Sequence, residues 1–183
     1  MPRYVAFLRA INVGGHTVKM EQLRRHFEEL GFVGVSTFIA SGNVIFESDQ
    51  TDSAALEQRI EAALRDSLGY EVATFLRTDA EVGRIAEQAP FPQVEPNEGD
   101  TMYVVFLRAA PEDAARGRVL ALSNEQDRLH PLGRELYWLR RGGLLDSTIG
   151  VADFGKALGG MPTTVRNANT LRRLAAKYPA VRS

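Results

Sequence analysis

The sequence predicts an α+β protein made of two consecutive strand-helix-strand-strand-helix-strand units, each an antiparallel sheet flanked by helices. Three observations predict it. Tyr4–Ala10 (YVAFLRA) recurs as Tyr103–Ala109 (YVVFLRA) with one substitution. A second echo follows each copy. Thr74-Phe75-Leu76-Arg77 is trailed by Val82, Ile85, Ala86 and Pro90, and Thr164-Val165-Arg166 by Leu171, Leu174, Ala175 and Pro179, at identical offsets from the arginine. The hydrophobic period also switches between strand-like and helix-like spacing in the same order in both halves.

Residues 4–10 are a short apolar run, a buried strand. Met20, Leu23, Phe27 and Leu30 recur at helical spacing and Gly31 supplies a stop. Val35 to Ala40 and Val44 to Glu47 read as strands joined by Ser41-Gly42-Asn43, a hairpin signal because Gly and Asn tolerate positive φ. Asp52 or Ser53 can cap a helix with the stripe Leu56, Ile60, Leu64 and Leu68, ended by Gly69. Val72 to Leu76 is the fourth strand. This is the split βαβ order of a ferredoxin-like (α/β-plait) unit, in which the first and third strands lie centrally. Thr78-Asp79-Ala80-Glu81 has capping-box spacing and starts a trailing helix through Val82 and Ile85.

Pro90, Pro92 and Pro96 break the pattern, so the division is a first subdomain at 1–89, a proline-rich linker at 90–100 and a second subdomain at 101–183. In the second, Met102–Arg108 is a strand and Pro111 can open a helix carrying Val119 and Leu122. Leu129–Leu132 and Glu135–Arg141 are strands, Val151–Leu158 a short helix stopped by Gly159-Gly160, and Pro162–Arg166 the last strand. Asn167 caps a C-terminal helix through Leu171 and Leu174. The duplication places Phe7 and Phe106 at equivalent buried positions.

Bulk properties narrow the classes. The 183 residues are 44% hydrophobic and 25% charged, ordinary for a globular protein. The absence of cysteine excludes disulfides, thiol chemistry and thiolate zinc sites. His16, His26 and His130 lack metal-ligand spacing, so no metal site and no cofactor is expected. His26, between Arg25 and Phe27, reads as a surface residue. The apolar N-terminal run is too short for a signal peptide or a membrane span, so a cytoplasmic protein is expected. Residues 1–100 carry 9 Lys+Arg against 16 Asp+Glu, and residues 101–183 carry 13 against 7. The two halves pack on each other or simply differ in surface, or the basic half faces an anion.

Chemistry is sparser. Arg9-Ala10-Ile11-Asn12-Val13-Gly14-Gly15 leaves a strand and opens onto a helix. Its glycines allow close approach to a ligand, its N–H groups attract anions, and Arg9 offers a forked donor. The competing reading is a tight βα turn with Arg9 paired to a carboxylate. Ser41 and Asn43 belong to a hairpin turn with a ligand contact as the rival. Arg166-Asn167-Ala168-Asn169-Thr170 holds more polar groups than a helix cap requires, leaving Arg166, Asn169 and Thr170 for a ligand or a hydrogen-bond network. No nucleophile paired with a base can be read off, and no catalytic residue is assigned. Trp138 and Tyr137 read as packing, and Arg172-Arg173 as a solvated helix face.

Arg9–Gly15 (RAINVGG), Phe38–Val44 (FIASGNV) and Thr164–Thr170 (TVRNANT) resemble the recurring motifs of domain of unknown function 1697, near RGINVGG, YxQSGNV and ARNWNT. That is a bacterial family of uncharacterised proteins of about this size, and the resemblance runs from the first strand to the last helix. It implies two ferredoxin-like subdomains and no activity. Arg9, Asn12, Gly14, Gly15, Ser41, Gly42, Asn43, Arg166, Asn167, Asn169 and Thr170 match. Ala10 stands where Gly is usual, Ala40 where Gln is common and Ala168 where Trp is, and Gly15-His16-Thr17 replaces a more Lys-rich stretch. The leading functional expectation is a small anionic or phosphorylated ligand held near Arg9, Asn12, Gly14-Gly15 and Arg166-Asn167. A nucleic-acid-binding module using the basic half ranks second, and an enzyme of unidentified reaction third. No membrane partner is expected, and the sequence does not give the oligomeric state.

Overall fold

In the computed structural model, residues 1–9, 11–12, 14–39, 42–142 and 148–181 are described. They form six helices and two four-stranded antiparallel sheets. The chain divides into two compact units, one of residues 1–84 with 174–183, the other of residues 85–173.

The first unit runs β1 (Arg3–Leu8), α1 (Met20–Glu29), β2 (Val33–Thr37), β3 (Asn43–Glu47), α2 (Ser53–Leu68) and β4 (Thr74–Thr78), followed by α3 (Asp79–Glu87), which the division cuts. The strand order is β2-β3-β1-β4, so β1 lies inside the sheet. Tyr4, Ala6 and Leu8 on one face of β1 join Leu23 and Phe27 of α1 and Leu56, Ile60 and Leu64 of α2 in one core. Val5 and Phe7, which alternate with them, are buried as well. A strand buried on both faces needs apolar residues throughout, which is what YVAFL supplies.

The local signals act as their chemistry demands. The Asp52 carboxylate accepts the Ala55 N–H at 3.1 Å and starts α2, and Gly69 ends it at φ +81°. Thr78 and Glu81 form the reciprocal box: the Glu81 N–H donates to Thr78 Oγ1 and the Thr78 N–H to Glu81 Oε2. β2 differs from expectation. It spans Val33–Thr37 rather than 35–40, with a bulge between Val33 and Ser36 that shifts its register on β3, and Phe38 and Ile39 lie outside the strand.

The exposed flank of β4 is closed by α2. The Leu76 N–H donates to the buried Glu57 carboxylate at 2.9 Å and the Thr74 N–H to Glu61 at 2.8 Å. Two carboxylates one helical turn apart thus satisfy alternate edge amides, which would otherwise pair with another chain. Glu57→Leu is expected to lower the unfolding free energy by about 1–3 kcal/mol, the cost of an orphaned buried amide. Glu57→Gln keeps an acceptor and should cost less. Urea denaturation of both variants checks the order.

The second unit runs β5 (Thr101–Leu107), α4 (Asp113–Ala121), β6 (Asp127–Leu132), β7 (Glu135–Arg140), α5 (Val151–Ala157) and β8 (Thr163–Asn167) into α6 (Ala168–Lys177). Its order, β6-β7-β5-β8, repeats that of the first. Phe7 and Phe106 are both fully buried. Val105, Leu107, Trp138, Phe154 and Val119 share a core, and the Trp138 indole N–H donates to the buried Asp127 carboxylate at 2.8 Å. Trp138 is therefore a packed core residue with a satisfied polar tip. His26 is half-buried on α1, 3.6 Å from Glu29, and not the surface residue its neighbours suggested.

Candidate functional site

In the first unit the loops around the sequence motifs meet. The Leu8 N–H donates to the Gly42 carbonyl at 2.8 Å, the Arg9 N–H to Ala73 at 2.9 Å, and the Tyr70 hydroxyl to the Ile11 carbonyl at 2.8 Å. The His16 ring stacks on Tyr70 with centroids 3.9 Å apart. Gly42 sits at φ +78°, and a Cβ there would meet Ile11 Cγ2 at 3.1 Å and the Leu8 carbonyl at 3.2 Å. Only glycine suits both the backbone angle and the space. Gly42→Val is expected to cost more than about 1 kcal/mol through strain at a special backbone position. A thermal melt checks it against Gly15→Ala, which has the same sign of φ and open space around it.

Several of the motif residues have structural employment. Asn43 is fully buried and its amide donates to the Phe38 carbonyl at 2.9 Å. Asn12 Oδ1 accepts the Val18 N–H at 2.8 Å and closes the loop after β1. Gly14 and Gly15 are exposed with positive φ, but α1 begins only at Met20, behind Lys19. Their amides are therefore not the first turn of that helix. Arg9 is exposed and has no ion pair among the described residues, so no buried charge demands a partner there. Ser41, Ala10 and Ala40 lie outside the described residues.

Arg166 is nine-tenths buried. Its Nη1 donates to Thr164 Oγ1 at 2.8 Å and to the Val165 carbonyl at 2.9 Å, and burial lowers its pKa to about 10. It remains a cation at neutral pH, held by its own strand. Arg77 does the same in the first unit, donating to the Leu76 carbonyl at 2.7 Å. The register matches too: Val5 faces Arg77 and Val104 faces Arg166.

Asn167, Ala168 and Asn169 of the 164–170 motif border a cavity. Asn167 Oδ1 accepts the Asn169 N–H at 2.8 Å and starts α6, while Thr170 is half-buried in its first turn. Asn169 Oδ1 in turn accepts from Arg172 Nη1 at 2.7 Å and orients that guanidinium. Asn167, Asn169 and Arg172 line a cavity of about 460 Å³, together with Phe91, Val94 and Pro96 of the linker, Met102 of β5 and Leu139 of β7. Asp100 also borders it, but its carboxylate accepts the Asn97 and Gly142 amides and lies 3.6 Å from Arg141. The start of α6 adds a weak positive potential. The arrangement can hold an apolar body and one negative group. Phe91, Val94, Met102 and Leu139 were not singled out by the sequence as site residues, and Arg172 was read there as part of a solvated helix face. Arg172 carries one signal, its i+3 spacing from Asn169; the others carry none.

The arginines of the basic half are largely occupied. Arg116 donates to the Pro131 carbonyl, Arg118 to Ala157 and Arg141 to Glu95, and Arg140 lies over the Trp138 ring. Among the described residues no His/Asp/Glu group could hold a metal, and no helix is long and apolar enough to cross a membrane.

Comparison with known proteins agrees with this architecture. The conserved bacterial protein SP0830 from Streptococcus pneumoniae has a similar structure, with a TM-score of 0.70 and 22% identity over 96% of this chain and 97% of that one. At that identity the likeness speaks for the fold alone. No curated protein matches. The family model described as "Protein of unknown function (DUF1697)" matches residues 1–137, which contain the RAINVGG and FIASGNV motifs, whereas TVRNANT lies beyond them. With three quarters of its length under that model, the chain belongs to the DUF1697 family.

Proposed function

We propose that this protein binds a small anionic ligand in the cavity of its second unit. The observation that carries the reading is Arg172, a guanidinium oriented by Asn169 at the rim of a cavity of about 460 Å³. That volume is within the range of small-molecule sites, which are mostly apolar with a few placed polar groups. Asn167 and Asn169 belong to the same wall. Arg9, Asn12 and Gly14-Gly15 belong to the first unit and do not line this cavity, so the reading does not rest on them.

Thermal unfolding against a panel of carboxylates and phosphates tests it. A ligand at about 100 times its Kd stabilises by about 2.7 kcal/mol. Arg172→Ala, by weakening binding about tenfold, should remove about half of that stabilisation and leave the unliganded stability within about 0.5 kcal/mol of wild type, as exposed substitutions do. If no anion raises the melting temperature, or the variant keeps the full rise, the reading is wrong.

The two units are also inferred to be ferredoxin-like plaits descended from one duplicated ancestor. Their shared strand order, the repeated YVxFLRA strand and the matched positions of Arg77 and Arg166 support this. The occupied guanidinia of the second half speak against a nucleic-acid surface, which needs phosphate-facing cations.

A further inference from the structure

We propose, resting on the anion reading of this cavity, that its ligand is an apolar monoanion: a flat hydrocarbon or aromatic body ending in one carboxylate, and not a polyphosphate. The lining decides between these. Met102 and Leu139 stand directly opposite each other on neighbouring strands, so their side chains form one continuous apolar floor. Phe91 and Val94 extend that apolar lining from the linker. Methionine and aromatic rings adapt to flat apolar ligands. Set against this surface, the cavity offers one cation, Arg172. Gln88 and Thr101 also line the cavity, but a second or third negative charge would find no further cation among the lining residues and would lie near the Asp100 carboxylate, and a charge taken from water without a charged partner is costly. A single carboxylate on the Arg172 fork, with its body over Met102 and Leu139, leaves no charge unmatched.

The test is isothermal titration of the full chain with 2-naphthoate, the neutral 2-acetylnaphthalene and inorganic phosphate. Wild type should bind 2-naphthoate, bind the neutral compound about tenfold or more weakly, and ignore phosphate, since a hydrogen bond to a charged group is worth roughly that factor. Arg172→Ala should weaken 2-naphthoate about tenfold and leave the neutral compound unchanged. Met102→Trp should abolish binding of both by filling the floor, and Val94→Trp does the same from the linker should the first variant fold poorly. Phosphate displacing 2-naphthoate, or undiminished naphthoate binding by both tryptophan variants, overturns the apolar monoanion and spares the anion site. Naphthoate binding indifferent to Arg172→Ala overturns the anion site itself. Binding of phosphate alone also overturns the monoanion, and binding of none of the three overturns both.

Discussion

Phe7→Ala is expected to lower the unfolding free energy by about 3–5 kcal/mol, the range for truncating a buried phenylalanine. Phe7 is fully buried on β1, inside the sheet, with Asn43 of β3 and Phe75 of β4 as its cross-strand neighbours. The loss has two parts, the transfer energy of the ring and the void it leaves between strands that cannot close up. Equilibrium urea denaturation measures it, and a midpoint near wild type would mean that the site collapses or that Phe7 is not packed. Phe106→Ala should behave alike, because Phe106 occupies the corresponding place on β5 and is also fully buried. Arg9→Ala, two residues further and exposed, should stay within about 0.5 kcal/mol.

Deletion of residues 174–183 is expected to cost the first unit at least about 3 kcal/mol. The deleted segment carries Leu174, almost fully buried, which alone is worth about 1.5–3 kcal/mol. It also carries Tyr178, whose hydroxyl lies 3.0 Å from Ser36 Oγ and whose ring meets Phe38 edge-on. Lys177 sits 5.6 Å from the Phe38 ring centre, and the Pro179 carbonyl accepts from Arg3. Ser36 lies on β2, an edge strand of the first sheet. Hydrogen exchange should therefore show lost protection in residues 33–37 before the rest of that sheet. Unchanged exchange there, with an unchanged melting temperature, would mean that residues 174–183 contribute nothing to the unit they complete.

The sequence by itself determined what depends on near neighbours in the chain. Asp52, Gly69 and the Thr78–Glu81 box act within a few residues of themselves, so their roles could be read directly. The same is true of the alternation that buries β1 and of the helical stripes of α1 and α2. The repeat then carried each reading from one half to the other. Tertiary structure decided the rest. The bulge that moved β2 forward exists because β2 must register with β3, and register is a property of the pair. The loop after β1 is fixed by Gly42 and Tyr70, which are remote in sequence. Arg166 looked available for a ligand, and only the fold buried it against its own strand. The cavity was hidden for the same reason. The linker has no period to reveal where it lies, and the cavity joins its Phe91 and Val94 to Met102, Leu139 and Arg172, which are remote from it in sequence. Caps, turns and stripes are local free-energy preferences. Registers, burial of charge and concave surfaces arise from segments that meet only after folding.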